Sequence, residues 1–233
     1  MITTDKKIEK TYIKAMQSDK QIRAIEASAR EGTATMRDAG IYAGKAGTYT
    51  GKALEDTIDE LVAMSEDDIA DIIREALRRG YTDTAGVLTG AIDASNAKLG
   101  VQLKAIIADF DDGKAQGLAE IIAESEDPAS LVGQITTLAE NFMRGEVDES
   151  LRKNAEFQSE SGLETIVIRT YDDVGLHGKG ETCEWCESRA GTWTYEEALA
   201  NGVFERHPGC GCEIEYQSRR THTRSSGGGW TKM

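Results

Sequence analysis

The first 170 residues of this 233-residue chain contain no cysteine, no histidine and no tryptophan, and one proline, Pro128. The absence of proline before that position removes the strongest helix breaker and favours long helices. Basic residues are also scarce, because 27 Lys and Arg stand against 41 Asp and Glu, for a net charge of −14. That balance argues against a general nucleic-acid-binding protein, whose domain is normally basic.

Long apolar runs are missing as well. The longest runs, such as residues 105–108, fall far short of the roughly 18 residues that indicate a membrane span. The N-terminal residues carry charges where a signal peptide needs an apolar stretch, so we expect no secretion and no membrane association. The 24 glycines form neither GxGxxG after a strand nor GxxxxGK[ST], so no phosphate loop is predicted. The sequence therefore predicts a soluble globular protein.

The composition divides the chain into unlike parts. All four cysteines, three histidines and three tryptophans follow residue 170, while acids outnumber bases by 11 in residues 1–160 and by 3 in residues 161–233. We predict a mainly α N-terminal region over 1–160 and a small zinc-stapled α+β module over 161–216. Residues 217–233 are basic and rich in Ser and Gly, which is typical of a flexible tail.

Apolar residues at spacings of three and four predict helices through most of the first part. One helix is expected to begin after Ser65 with an N-terminal cap and to end at Gly80. A second is expected from Thr82 to Phe110. A third is expected to begin at Asp127 and Pro128 and to run through Leu131, Ile135, Leu138 and Phe142 to Gly145.

Three Ala-Gly pairs at 39–40, 43–44 and 46–47 permit two interpretations. Small side chains could form a surface on which another backbone packs closely. Each Gly in a helix costs up to about 1 kcal/mol relative to Ala, however. Three glycines in eight residues therefore favour a frayed helix or a loop.

Residues 165–171 are rich in β-branched side chains and predict a strand. Shorter strands are expected over 192–194, 203–206 and 212–216, and a helical turn over 195–201. The chain therefore changes from helix to sheet in its second part, residues 161–216.

The cysteines and one histidine form two paired sets. Cys183 and Cys186 make a CxxC motif, and His207, Cys210 and Cys212 follow after 20 intervening residues. Zinc takes four N or S ligands in a tetrahedron, and an i, i+3 spacing at a tight turn lets two side chains reach one ion. Residues two apart on a strand point to the same side, so Cys212 competes with His207. The predicted set is Cys183, Cys186 and Cys210 with either His207 or Cys212.

Other chemistries fit these residues less well. A redox CxxC motif normally lies at a helix start in a βαβ context, which the sequence lacks. A disulfide needs an oxidising compartment. A catalytic metal needs an open coordination position, and the deaminase pattern HxE followed by PCxxC is absent. We therefore expect a structural zinc, which would stabilise a short β segment with few large apolar residues, with Trp185 and Trp193 packed around it.

The strings CEWCESRAGTW and HPGCGCEIEY, within residues 165–216, resemble the C-terminal signature of bacteriophage minor head proteins, the head-morphogenesis family related to Mu protein F. Cys183, Cys186, His207, Pro208, Cys210 and Cys212 carry the resemblance. The family often has Arg where this chain has Gly211, so a charge contact made by that Arg would be absent here.

The resemblance implies a virion protein inside the capsid near the portal, made in the host cytoplasm, that assists head assembly or DNA delivery. Its implied partners are the portal protein, the major capsid protein or further copies of itself. Two alternatives stay open. A toxin-like or nucleic-acid-processing enzyme would need His177, although no catalytic constellation is recognisable. A DNA-contacting module would use the tail residues Arg219, Arg220, Arg224, Trp230 and Lys232 on packaged DNA.

Overall fold

A computed structural model describes residues 3–171 and 183–220 of the chain. The described residues form nine α-helices and three strands, which confirms the prediction of a mainly α region followed by a small α+β module. The helices are α1 Thr4–Ser18, α2 Lys20–Arg30, α3 Met36–Glu55, α4 Ile58–Leu61, α5 Glu66–Lys98, α6 Asp112–Ala123, α7 Gln134–Glu160, α8 Glu184–Glu187 and α9 Tyr195–Ala200. The strands are β1 Leu163–Thr170, β2 Gly191–Thr194 and β3 Glu213–Arg220.

Polar caps set the start of several helices. Asp19 accepts hydrogen bonds from the first backbone N–H groups of α2, and Thr35 forms a capping box with Asp38 at the start of α3. Ser65 accepts from the backbone of Asp68 and begins α5, as predicted. The apolar faces that follow these caps pack into one hydrophobic core in which α3, α5 and α7 are central.

The Ala-Gly pairs belong to α3, an unbroken helix, so the favoured interpretation as a loop or frayed helix was wrong. A Cβ atom at Gly47 or Gly51 would overlap the backbone of α7 at Glu140 or Thr136. The close approach of the two helices brings many buried atoms into contact, and this packing offsets the low helix propensity of glycine. The packing surface that the sequence offered as an alternative is the one that forms.

Helix α5 continues through Gly80 to Lys98, so the predicted end at Gly80 was wrong. A Cβ atom at Gly80 would lie 2.6 Å from the terminal methyl of Met143 in α7. This glycine therefore makes room for a neighbouring helix and does not terminate its own. The residues around Gly80 have the composition of a helix C-terminus, but packing against Met143 of α7 takes place within a continuous helix.

The predicted helix from Thr82 to Phe110 was wrong over its second half, because residues 101–111 have no regular structure. This segment runs beside α7. Side chains of α7 make the hydrogen bonds to its backbone that other backbone groups would make in a helix. Asn154 accepts from the N–H of Ile106 and donates to its carbonyl, and Ser150 accepts from the N–H of Ala108. Buried backbone groups that lack helical partners are thus satisfied.

The predicted helix from Asp127 to Gly145 divides into two elements. Asp127 caps a 3₁₀ turn, Pro128–Leu131, and Gly133 then takes a left-handed conformation with φ of 85°. Helix α7 begins only after that break and runs past Gly145 to Glu160. The predicted cap was correct, but the continuity and the end were wrong.

The strands form an antiparallel sheet in the order β2-β1-β3. Val167 on the central strand lies opposite Trp193 and Tyr216. Val167, Ile214 and Tyr216 are buried in the same core as the helices, and α7 packs on the sheet. The β segment, which has few large apolar residues of its own, thus shares the large core of the helices.

Two details of the C-terminal part differ from expectation. Residues 201–204 form a turn and 205–207 are irregular, so the strand predicted over 203–206 was wrong. The carbonyls of Val203 and Glu205 accept hydrogen bonds from the side chain of Arg169, and not from the backbone of a neighbouring strand. Strand β3 extends to Arg220, so the first four residues of the predicted tail are ordered in the sheet. His177, Arg224, Trp230 and Lys232 lie outside the described residues.

Candidate metal centre

A short helix supplies the first two donors. Cys183 caps α8, and its Sγ accepts from the backbone N–H of Cys186 at 3.4 Å. The backbone N–H of Cys183 donates to the hydroxyl of Tyr171 at the end of β1. Because Cys183 and Cys186 are one helical turn apart, both sulfur atoms face the same side of the turn.

A tight turn supplies the other donors. The N–H of Cys210 donates to the carbonyl of His207 at 3.1 Å, and Gly209 takes φ of 76° within this turn. The turn folds His207 and Cys210 back toward α8. Cys212 follows two residues later, immediately before β3, and both Cys210 and Cys212 are buried.

The donor atoms form two triads that share Cys186. One contains Cys183, Cys186 and His207, and the other contains Cys186, Cys210 and Cys212, with all donor atoms of a triad within 4.8 Å of one another. The Nε2 atom of His207 lies 2.9 Å from Cys186 Sγ and 3.2 Å from Cys183 Sγ. The Sγ atoms of Cys186 and Cys210 are 3.6 Å apart.

The donor atoms lie close enough together to become ligands of a metal ion. A tetrahedral zinc with bonds of about 2.0–2.3 Å holds its donors about 3.3–3.8 Å apart. The separation of the Cys186 and Cys210 sulfur atoms lies within that range, and the two separations from His207 are shorter. A disulfide would instead place two sulfur atoms about 2.05 Å apart, and all four cysteines are free thiols in the structure. The soft N and S donor set also fits zinc rather than a hard cation such as Mg²⁺.

His207 is oriented for metal binding. Its Nδ1 atom lies 2.8 Å from the carbonyl oxygen of Pro208, which can only accept, so Nδ1 carries the proton. The lone pair of Nε2 therefore points toward the sulfur atoms. This arrangement is the one that fixes the tautomer of most metal-bound histidines. The structure thus joins His207 to Cys183 and Cys186, and it places Cys212 beside Cys186 and Cys210.

Two of the thiols, Cys186 and Cys210, are held in the neutral form when no metal is bound. Desolvation raises the pKa of Cys186 to about 11. A hydrogen bond with Cys212, and then burial, raise the pKa of Cys210 to about 12. A metal ion at this cluster would displace these protons, because the thiolate is the form that binds.

Three side chains that sequence reasoning did not select surround the cluster. Arg169 donates to Cys210 Sγ at 3.2 Å, and Arg206 donates to the Cys210 carbonyl at 3.1 Å. The signal for Arg169 was present, since Thr165, Val167 and Arg169 alternate along one buried face of β1 and a charge there is exceptional. The third side chain, Asp148 of α7, pairs with Arg206, and no pattern in its helix distinguishes it.

The two tryptophans that were expected to pack around the metal site lie in different places. The ring of Trp185 meets the His207 ring edge-on at 5.2 Å and packs against the cysteines, as expected. Arg169 and Arg189 lie over its ring at 5.1 and 3.9 Å. Trp193 packs against the main core instead, and its indole N–H donates to the Arg189 carbonyl.

Buried ion pairs connect the helical body to the cysteine module. Arg206 donates to Asp148 Oδ1 at 3.0 Å, and Arg144 donates to Glu213 Oε1 at 2.6 Å. Arg144 also pairs with Glu140 of its own helix at 3.1 Å. Since Glu213 begins β3 and Arg206 adjoins His207, both pairs hold the loop that carries His207, Cys210 and Cys212 on α7.

Comparison with known protein families, with curated proteins and with solved structures gives no match. Among the described residues, none of the helices combines the length and apolar character needed to cross a bilayer.

Proposed function

We propose that the chain is a minor head protein of a bacteriophage in which one structural zinc ion holds the C-terminal module together. The observation that carries the proposal is the meeting of CxxC and HPxCxC at one cluster, the motif pair on which the family resemblance depends. The helical body followed by a small sheet is consistent with that resemblance. Inside the capsid near the portal, such a protein would assist head assembly or DNA delivery.

Cys183, Cys186 and Cys210 are the proposed ligands, with either His207 or Cys212 as the fourth, since each of these two shares a triad of donor atoms with Cys186. The zinc ion would supply a crosslink between α8 and the loop before β3. Four protein ligands leave no open coordination position, which is the arrangement of a structural site and not of a catalytic one. The ion pair between Asp148 and Arg206 anchors the loop that carries His207 and Cys210 to α7.

The portal protein and the major capsid protein are the proposed partners, and contact between copies of the chain is compatible with the same role. Contact with packaged DNA is a weaker proposal for the described residues. Arg219 forms an ion pair with Glu164, and Arg220 donates to the carbonyl of Gly100 at 2.8 Å. Any DNA contact would therefore depend on the cations beyond residue 220.

Purified virions of the phage that encodes this chain provide the test. We expect the protein to cosediment with particles in fewer copies than the major capsid protein, and to resist protease until the capsid is opened. A phage carrying Cys183→Ser with Cys186→Ser should form fewer filled heads. Ser188→Ala, in the same turn, should assemble normally. A chain absent from purified virions would overturn the proposal.

A further inference from the structure

Arg169 is a buried cation with an unusual set of partners. Its side chain on β1 is 1% exposed. Its Nη1 donates to the carbonyls of Val203 and Glu205 at 2.6 and 2.7 Å, and its Nη2 donates to Cys210 Sγ at 3.2 Å. The guanidinium stays charged at any physiological pH.

The other two buried arginines each have a carboxylate within ion-pair distance. Arg144 pairs with Glu140 and Glu213, and Arg206 pairs with Asp148. Within residues 3–171 and 183–220, Arg169 makes no such pair. A buried charge is retained only where an opposite charge or strong hydrogen bonding compensates it. The sulfur of Cys210 is the group in its described hydrogen-bonding shell that can carry negative charge.

We propose that Arg169 is the counter-cation of the metal–thiolate centre and that, through Cys210, it favours a ligand set with net negative charge. This inference rests on the proposed zinc site. A divalent ion with three thiolates and one neutral histidine carries a charge of −1, and with four thiolates it carries −2. Two thiolates and two neutral ligands would leave Arg169 uncompensated. Arg169 is thus a positioning residue that acts on the metal through Cys210.

Two substitutions separate the charge of Arg169 from its hydrogen bonds. Arg169→Gln keeps N–H donors for the carbonyls but removes the charge, whereas Arg169→Lys keeps the charge. We expect Arg169→Gln to weaken zinc binding, measured by chelator competition, by about 10- to 100-fold, the usual effect of removing a partner of a metal ligand. Arg169→Lys should recover most of that loss. Arg189→Met is the matched control, since Arg189 also lies on Trp185 but donates to the Trp185 carbonyl and the Ser188 hydroxyl, and it should change affinity less than twofold.

A double-mutant cycle with Cys210→Ser tests the route of the effect. If Arg169 acts through the sulfur, Arg169→Gln should weaken cobalt(II) binding in the wild-type background and have no further effect beside Cys210→Ser. A role limited to holding Val203 and Glu205 would produce the same loss in both backgrounds and would overturn the proposal. If Cys210→Ser abolishes binding, the Gln and Lys variants decide the question.

The outcomes distinguish this inference from the proposed function. A wild-type protein that binds neither zinc nor cobalt(II) overturns the zinc site itself. A wild-type protein that binds zinc with the same affinity as Arg169→Gln overturns only the role of Arg169. Folding of Arg169→Lys but not Arg169→Gln in the presence of zinc would support the charge, and failure of both to fold would overturn it in favour of a purely structural contact.

Discussion

Glu146 is a buried acid in the middle of α7, 5% exposed, at a small cavity that also borders Thr84 and Met143. Burial raises the pKa of its carboxyl to about 7 from an ordinary value of 4.5. Nearby Asp111 and Glu149 act in the same direction, while Lys114 and Lys153 oppose them. Between about pH 4.5 and 7 the folded protein thus retains a proton that the unfolded chain releases.

This shift predicts how stability depends on pH. Between about pH 4.5 and 7 the folded state binds more protons at Glu146, so its contribution to stability falls as pH rises through that window. Glu146→Gln removes the ionisable group. We expect it to raise the free energy of unfolding by about 1–3 kcal/mol at pH 8 and to change it little at pH 4.5, measured by urea titration.

Glu149→Gln, less than one turn away, is the control for that experiment. Hydrogen bonds from Arg152 lower the pKa of Glu149, so this substitution should reduce stability at pH 8. An equal effect of Glu146→Gln at both pH values would contradict the account.

The buried pair of Asp148 and Arg206 predicts a second effect at the scale of single residues. Their side chains are 3% and 7% exposed. Asp148→Asn leaves the guanidinium without its carboxylate, so we expect a loss of about 3–5 kcal/mol in unfolding free energy. Glu164→Gln breaks the exposed pair with Arg219 and should reduce stability far less, because solvent screens that pair. Similar losses for the two variants, measured in the same denaturant, would refute the importance of burial.

At the scale of elements, the contact between α3 and α7 depends on the absence of side chains. Gly47 and Gly51 lie one helical turn apart and face the backbone of α7. Gly40 and Gly44 continue this stripe, where they leave space for Glu213 and Arg144. The same helix face thus admits both a neighbouring backbone and a buried ion pair.

Replacing a glycine by alanine should lower stability where the glycine belongs to this stripe and raise stability where it does not. Gly47→Ala places a Cβ atom against the backbone of Glu140, and we expect a loss of about 1–3 kcal/mol from overpacking. Gly86→Ala, in α5, meets nothing within 4 Å and should stabilise the protein by about 0.5–1 kcal/mol through helix propensity. Thermal melting of the two variants measures both. Stabilisation by Gly47→Ala would show that the helices are not in close contact.

Helix starts were more predictable from the sequence than helix ends. The caps at Ser65 and Asp127 depend on hydrogen bonds within four residues, so local sequence contains the information. The passage of α5 through Gly80 depends on Met143, more than 60 positions away. The extended path beside α7 likewise depends on Asn154 and Ser150. Contacts between residues so far apart in the sequence produce no recognisable pattern in the residues next to a helix end.

At the scale of the whole molecule, the spacing of CxxC and HPxCxC was sufficient to predict the five candidate donors. The arrangement around them depended on long-range packing. His207, which meets Cys183 and Cys186, belongs to a loop that Asp148 holds against α7 through Arg206, and no residue near the cysteines in sequence predicts that anchor. Arg169 was detectable in principle as a charge on an apolar strand face.

Because the sheet belongs to the main core, metal removal should affect the molecule unevenly. Chelation of zinc should alter the near-ultraviolet circular dichroism and fluorescence of Trp185, which contacts His207. The far-ultraviolet helical signal should persist, since Val167, Ile214 and Tyr216 are packed against the helices. Cooperative loss of both signals on chelation would contradict a metal site that stabilises one module of the fold.

The most direct test of the zinc centre is the metal content of the purified full-length protein, measured by elemental analysis together with native mass spectrometry. We predict one zinc per chain in the wild-type protein and none in Cys183→Ser with Cys186→Ser. Ser188→Ala should retain the metal. A wild-type protein that is folded, contains four reduced thiols and takes up no zinc when zinc is supplied would contradict the account.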